Sequence, residues 1–149
     1  VLSGSRKLVV CFAEGVETIR FALERGVFDD IHWTAGGILL LAHTTEKQRS
    51  WISQCLWQRW GGNPEAVEFL QRLPEAVTNA RQADHVVCET RKVAQFAVAL
   101  RSGGRVVATL GITVPQFRAS PEKRKQVVEA LLDGALEIGS CLDGNTPAD

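Results

Sequence analysis

The stretch RVVATLGITVPQFRASPEKRKQVVEALLDGALEIGSCL, Arg105 to Leu142, decides the fold. Val106, Ala108, Leu110, Ile112 and Val114 alternate with Val107, Thr109, Gly111 and Thr113, the period-2 pattern of a strand. Ser120 then stands where a helix N-cap belongs, Pro121 takes the first helical position, and Glu122 suits the positive helix end. Val127/Val128, Leu131/Leu132, Ala135, Ile138 and Leu142 follow at three- to four-residue spacing, which predicts an amphipathic helix with one buried face. Beyond Val107, one face of the strand carries only small or weakly polar groups. Such a face does not fill itself and leaves room for a ligand.

Immediately upstream, Ser102-Gly103-Gly104 reads as a hairpin turn joining this strand to another at Val93–Leu100, and Val86–Cys88 reads as a third. Phe96, Val98 and Leu100 share one face, as do Val106, Ala108, Leu110 and Ile112. These bulky faces are expected to pack on helices. The opposite faces carry Gln95, Ala97 and Ala99, and Thr109, Gly111 and Thr113. Aligned, they make a shallow floor with one amide and two hydroxyls, the mixture typical of ligand pockets. The plain alternative is a solvent-facing sheet surface.

Towards the N-terminus, Lys7–Phe12 and Val16–Glu24 read as strands joined around Glu14-Gly15. A buried helix is expected to begin near Thr34 and run through the apolar Ile38–Ala42. Thr45 and Gln48 have capping-box spacing for the next helix, with Ile52, Cys55, Leu56 and Trp60 inside and Gly61-Gly62 ending it. Asn63-Pro64-Glu65 starts another, which Pro74 is expected to interrupt, so that Glu75–Gln82 forms a separate helix. Antiparallel strand runs separated by helical runs predict an α+β fold. The arrangement expected is helices on one face of the sheet and a pocket on the other.

The 149 residues suit a single domain with a real core. Lys plus Arg equals Asp plus Glu at 17 each, so the chain has no basic surplus for gripping DNA by itself. No run approaches the ~18 apolar residues of a membrane span. The chain contains no Met and has no signal-peptide pattern, so it is expected to begin inside a longer cytoplasmic product. Cys11, Cys55, Cys88 and Cys141 are irregularly spaced, as free thiols in a reducing compartment would be.

Two further features invite chemistry. Thr34-Ala35-Gly36-Gly37 at a helix start offers free N–H groups and a favourable dipole to a carboxylate or phosphate. Its glycines equally permit close helix–sheet packing. His85 and Cys88 suggest half a metal site or a nucleophilic pair, with nothing in the spacing to complete either. No phosphate loop or GxSxG is present, and no metal or cofactor is expected. Among four tryptophans, Trp57 falls outside its helix's inner stripe and is expected to be exposed.

HWTAGGILLLAHTTEKQR (from His32) resembles the helix entry, and GGRVVATLGITVPQFRASPEKRKQVVEALLDGALEIG (from Gly103) the final strand and closing helix, of the effector-binding domain of IclR-family bacterial transcription factors. The likeness runs from about Lys7 to Leu142. It implies a GAF-like curved antiparallel sheet, helices behind it and an effector cup in front. It also implies residues 1–149 as one effector domain, a winged helix-turn-helix outside this chain that contacts DNA, and a homodimer or homotetramer. By the resemblance, Ala35 and Gly36 form a backbone cradle for a carboxylate. An acidic cup residue falls on Cys88, with Glu89 beside it as substitute. A cup cysteine falls on Gln95, and two cup serines on Gly111 and Thr113. The lysine usual after the glycine is Ile38. A less polar cup than usual is therefore expected, for a carboxylate ligand with a bulkier, possibly aromatic, body. Two other readings stand beside it. One is a cysteine-dependent enzyme using Cys88 with His85 as base. The other is an oligomerisation module using Trp57 and the C-terminal helix, with no ligand.

Overall fold

The computed structural model describes residues 1–13, 26–31 and 34–144. The elements are β1 (Leu2–Ser3), β2 (Arg6–Leu8), β3 (Phe28–Asp30), α1 (Ala35–Ala42), α2 (Glu46–Trp60), α3 (Pro64–Ala83), β4 (His85–Glu89), β5 (Val93–Ser102), β6 (Arg105–Pro115) and α4 (Pro121–Leu142). A single 3-10 turn, Gln116–Arg118, links β6 to α4. Strands β1-β2-β3 form one antiparallel sheet and β4-β5-β6 another, so the α+β class holds.

Every helix start follows from a capping side chain. Thr34 Oγ1 accepts from the Gly37 N–H at 3.1 Å, and Thr45 Oγ1 from the Gln48 N–H at 3.2 Å. Asn63 Oδ1 accepts from Glu65 and Ala66, and Ser120 Oγ from Lys123. Each cap satisfies an N–H that the helix itself cannot, worth about 1 kcal/mol.

One departure concerns Pro74. The expected break there, with a separate helix at Glu75–Gln82, does not occur: α3 continues through Pro74 to Ala83. Leu70, Leu73, Val77 and Ala80 form one buried stripe across the proline. Burying such side chains yields about 1.5–3 kcal/mol each for the larger ones, enough together to offset the roughly 3 kcal/mol that an interior proline costs. The carbonyl of Pro74 accepts from the Thr78 hydroxyl at 2.9 Å.

The N-terminal strand is shorter than its expected span Lys7–Phe12. Beyond Leu8 the pairing continues as isolated bonds, Val9 N–H to Val27 O and Gly26 N–H to Val9 O. The expected strand Val16–Glu24 and its turn lie outside the described residues.

Helix α1 is apolar almost all round and therefore sits in the interior. Ile38, Leu39 and Leu41 join Ile52, Leu56, Leu70, Leu73, Val77 and Ala97 in the main core. Gly37 permits this seating: a Cβ there would lie 1.8 Å from the Ile31 carbonyl oxygen. Arg49 and Arg81 donate to the Leu41 and Ala42 carbonyls at the far end of α1, placing positive charge at its negative pole.

On the opposite side of β4-β5-β6, α4 covers the bulky face. Val98, Leu100 and Ala108 pack with Ala135 and Leu131, and Ala94 and Phe96 with Ala119, Val127 and Val128. Helices thus flank both faces: α4 the bulky one, α1 part of the small-residue one. A bulge interrupts the β5–β6 ladder. Leu100 pairs with Ala108, but Arg101 pairs with Val106. The alternation expected from Val106 to Ala108 is broken there, and Val107 is 43% exposed. Ile112, expected to pack on helices, is also exposed at 42%.

Candidate functional site

The β5–β6 turn sets the register of the floor. Gly103 and Gly104 both take positive φ, 56° and 74°, as a two-residue hairpin loop requires. Gln95 then falls opposite Thr113, Ala97 opposite Gly111 and Ala99 opposite Thr109. The small faces expected to align do align. Over them lies the start of α1, close enough that a Cβ on Gly36 would stand 2.9 Å from Thr109 Oγ1 and 3.9 Å from Ala97 Cβ.

Between these parts is a cavity of about 200 Å³. Thr34, Ala35 and Gly36 line it from α1, Gln95 and Ala97 from β5, and Thr109, Gly111 and Thr113 from β6. The segment from Lys7 to Cys11 supplies a further wall. Five of the seven sequence candidates, Ala35, Gly36, Gln95, Gly111 and Thr113, therefore meet around one space. Of the two roles expected of the glycines of α1, close packing is seen at Gly37 on Ile31, while Gly36 lines the cavity.

The N–H groups of the first helical turn are spoken for unequally. Ala35 N–H donates to Gln95 Oε1 at 3.2 Å, and Gly37 N–H to Thr34 Oγ1. Gly36 N–H has no acceptor among the described residues. Gly111 has a structural cause as well as a chemical consequence. A Cβ there would meet the Phe96 carbonyl oxygen at 2.8 Å, so the backbone closes over the place where a side-chain hydroxyl would stand.

The other two candidates lie elsewhere. Cys88 is opposite Gln95 in the β4–β5 ladder, but its side chain joins the main core and a separate hollow with Ile38, Phe69 and Leu73. Burial pushes its thiol up to about 11, so it is protonated near neutral pH. Glu89 points the other way along the strand. Its carboxylate accepts from Arg124 at 2.6 Å and from Gln116 at 3.2 Å, tying β4 to the β6–α4 junction. It does not reach the cup, so it is no substitute for a cup acid.

The nucleophilic pair also separates. His85 pairs with Val98 and Cys88 with Gln95, and those partners lie on opposite faces of β5. The His85 ring is held by its Nδ1 at 2.8 Å from the Ala83 carbonyl oxygen. Among the described residues, no group of three or more His, Cys, Asp or Glu side chains is placed to hold a metal. Trp57 is exposed, as expected, and lines a larger groove of about 450 Å³ between α2 and α3. That groove shares no residue with the cup.

Lys7 was not singled out from the sequence. It lines the cup from β2, where Ile38, at the position expected to carry a lysine, is 2% exposed in the core. Strand β2 thus contributes a lysine to the wall of the cavity. Only the long-range fold brings Lys7 there, so no local pattern marks it.

No protein-family model and no curated protein sequence matches the chain. Solved structures do. A protein from Rhodococcus sp. RHA1, described as a putative transcriptional regulator, superposes with TM-score 0.84 at 20% identity over 97% of this chain. An IclR homolog from Microbacterium hydrocarbonoxydans, solved with 4-hydroxybenzoate, superposes with TM-score 0.78 at 22% identity over 97% of this chain. The fold is that of IclR-type transcriptional regulators. The IclR protein of Thermotoga maritima adds TM-score 0.76 at 20% identity over 95% of this chain. The chain spans about 60% of the length of these IclR-fold proteins, 60%, 59% and 59% respectively. Among the described residues, no helix is long and apolar enough to cross a membrane.

Proposed function

We propose that this chain is the ligand-sensing domain of an IclR-type regulator, and that its ligand is a small carboxylate with a ring or similar apolar body. One observation carries the reading: the start of α1, with the Gly36 N–H open, stands over the Gln95–Thr113 floor around one cavity. A helix N-terminus with an open N–H group favours an anion. Ala97 and Gly111 line the cavity and contribute no polar side-chain atom, which suits an apolar body. The volume, about 200 Å³, is below the 300–1,000 Å³ common for drug-sized ligands, which suits a ligand of one ring. A related fold solved with 4-hydroxybenzoate supports the same class.

In the full-length protein, ligand binding would bias the arrangement of domains in a cytoplasmic homodimer or homotetramer and so alter DNA binding by a separate winged helix-turn-helix. No catalytic step is assigned. The separation of Cys88 from His85 and the protonated state of Cys88 disfavour the enzymatic reading, and the presence of the cup disfavours a purely oligomerising module.

Calorimetric titration with 4-hydroxybenzoate, benzoate and acetate tests the proposal. Burying a ring contributes about 1.5–3 kcal/mol, so the benzoates are expected to bind roughly ten- to a hundredfold tighter than acetate. Acetate binding as tightly as benzoate, or no carboxylate binding at all, would overturn it.

A further inference from the structure

We infer that Gln95 is a built-in competitor for the carboxylate cradle: its side-chain amide oxygen occupies the Ala35 N–H, and a ligand carboxylate must displace it. The inference rests on the cup being the ligand site, and it concerns what fills that site before the ligand arrives.

Three N–H groups at the start of α1 lack a helical partner: Ala35, Gly36 and Gly37. Thr34 takes the third from its own chain neighbourhood, as an N-cap does. Gln95 takes the first from sixty residues away, across the cavity, at 3.2 Å. Only the Gly36 N–H is left open among the described residues. A carboxylate has two oxygens. Seated on two adjacent N–H groups, it needs Ala35 as well as Gly36, and the Ala35 position is held by Gln95 Oε1. The amide oxygen stands where one carboxylate oxygen would go. It is neutral, however, and a charged acceptor at a helix N-terminus makes a stronger hydrogen bond than a neutral one. Exchange therefore favours an anion over a neutral ligand. The same contact that keeps the unliganded helix end satisfied selects for negative charge.

Gln95 stands between Cys88 of β4 and Thr113 of β6 in the sheet register. Its release from Ala35 frees a side chain bridging the floor and α1, the two walls of the cup.

The test compares the unmodified chain with Gln95→Met, which keeps the length and removes the amide, with Gln95→Ala as a second form, and with Gln95→Glu, which puts a permanent anion in reach of the cradle. Benzoate is the probe, read by calorimetry. Exchange of the Ala35 amide hydrogen is read by NMR without ligand. One net hydrogen bond removed from competition predicts about two- to tenfold tighter benzoate binding by Gln95→Met or Gln95→Ala. Gln95→Glu is expected to weaken binding at least tenfold while leaving the thermal midpoint unchanged or higher, and Ala35 exchange should quicken in Gln95→Met. Unchanged or weaker binding by both neutral variants overturns the competitor role while the cup reading stands, because the unmodified chain still binds. Unchanged Ala35 exchange also overturns it. Failure of benzoate to bind any form, with Ala35 exchange still quickened, overturns the cup as a carboxylate site and with it the competition, while leaving the Gln95–Ala35 contact established.

Discussion

Replacing Gly111 by serine would restore the hydroxyl that the resemblance expects in the cup floor, and it is predicted to damage the domain instead. An added Cβ would stand 2.8 Å from the Phe96 carbonyl oxygen and 3.6 Å from Ala97 Cβ. The first contact is with backbone on the neighbouring strand, and β5 is pinned by α1 on one face and α4 on the other. Neither side can give easily, so the strands must part by several tenths of an ångström. Overpacking of this kind costs about 1–3 kcal/mol. For a domain of this size each kcal/mol lowers the midpoint by about 2–4 °C, so a fall of about 2–12 °C is expected. Thermal unfolding followed by circular dichroism reads it directly. Benzoate binding should weaken too, because the floor moves toward the ligand space. A Gly111→Ser protein that melts within a degree of the unmodified chain would refute the close approach of β5 and β6 on which the shape of the cup depends.

Three further outcomes are expected. Gly37→Ala should destabilise more than Gly111→Ser in urea unfolding, because its Cβ would collide with the Ile31 carbonyl oxygen at 1.8 Å; equal or smaller loss would contradict the seating of α1. Burial, then Arg101 and Arg81 outweighing Asp84, lowers the pKa of His43, so the unfolded chain takes up that proton first. Stability should fall as pH drops below about 6.5, and His43→Gln should flatten that part of the pH profile. Cys88, with its thiol at about 11, should resist iodoacetamide at pH 8 while the exposed Cys11 and Cys141 react; mass spectrometry showing Cys88 labelled as fast as Cys141 would contradict its burial.

The parts legible in the sequence are those whose causes are local. Thr34, Thr45, Asn63 and Ser120 act on N–H groups two or three residues away, and each caps the helix it precedes. Gly103-Gly104 makes its own turn, and the turn sets which residues share the floor. The parts that were not legible depend on distant contacts. Pro74 stays helical because the stripe from Leu70 to Ala80 is buried on both sides of it. The bulge at Leu100/Arg101 changes phase without leaving a mark in the hydrophobic pattern. Lys7 lines the cup from β2, far along the chain from the helix start and floor strands that it joins. For Cys88 and Glu89 the difficulty was one residue of register. Pairing Cys88 with Gln95 sends Glu89 to Arg124 and leaves the cup without an acid from β4. What survives is an underfilled sheet face with an anion-favouring helix end above it.

The most direct measurement of that account is two-dimensional amide NMR of the isotope-labelled chain titrated with benzoate. The account predicts concerted shifts at Ala35, Gly36, Gln95, Gly111 and Thr113, the residues around the 200 Å³ cup. Shifts confined to Ser50, Ser53, Trp57 and Val77, around the groove between α2 and α3, would place the ligand elsewhere and contradict it.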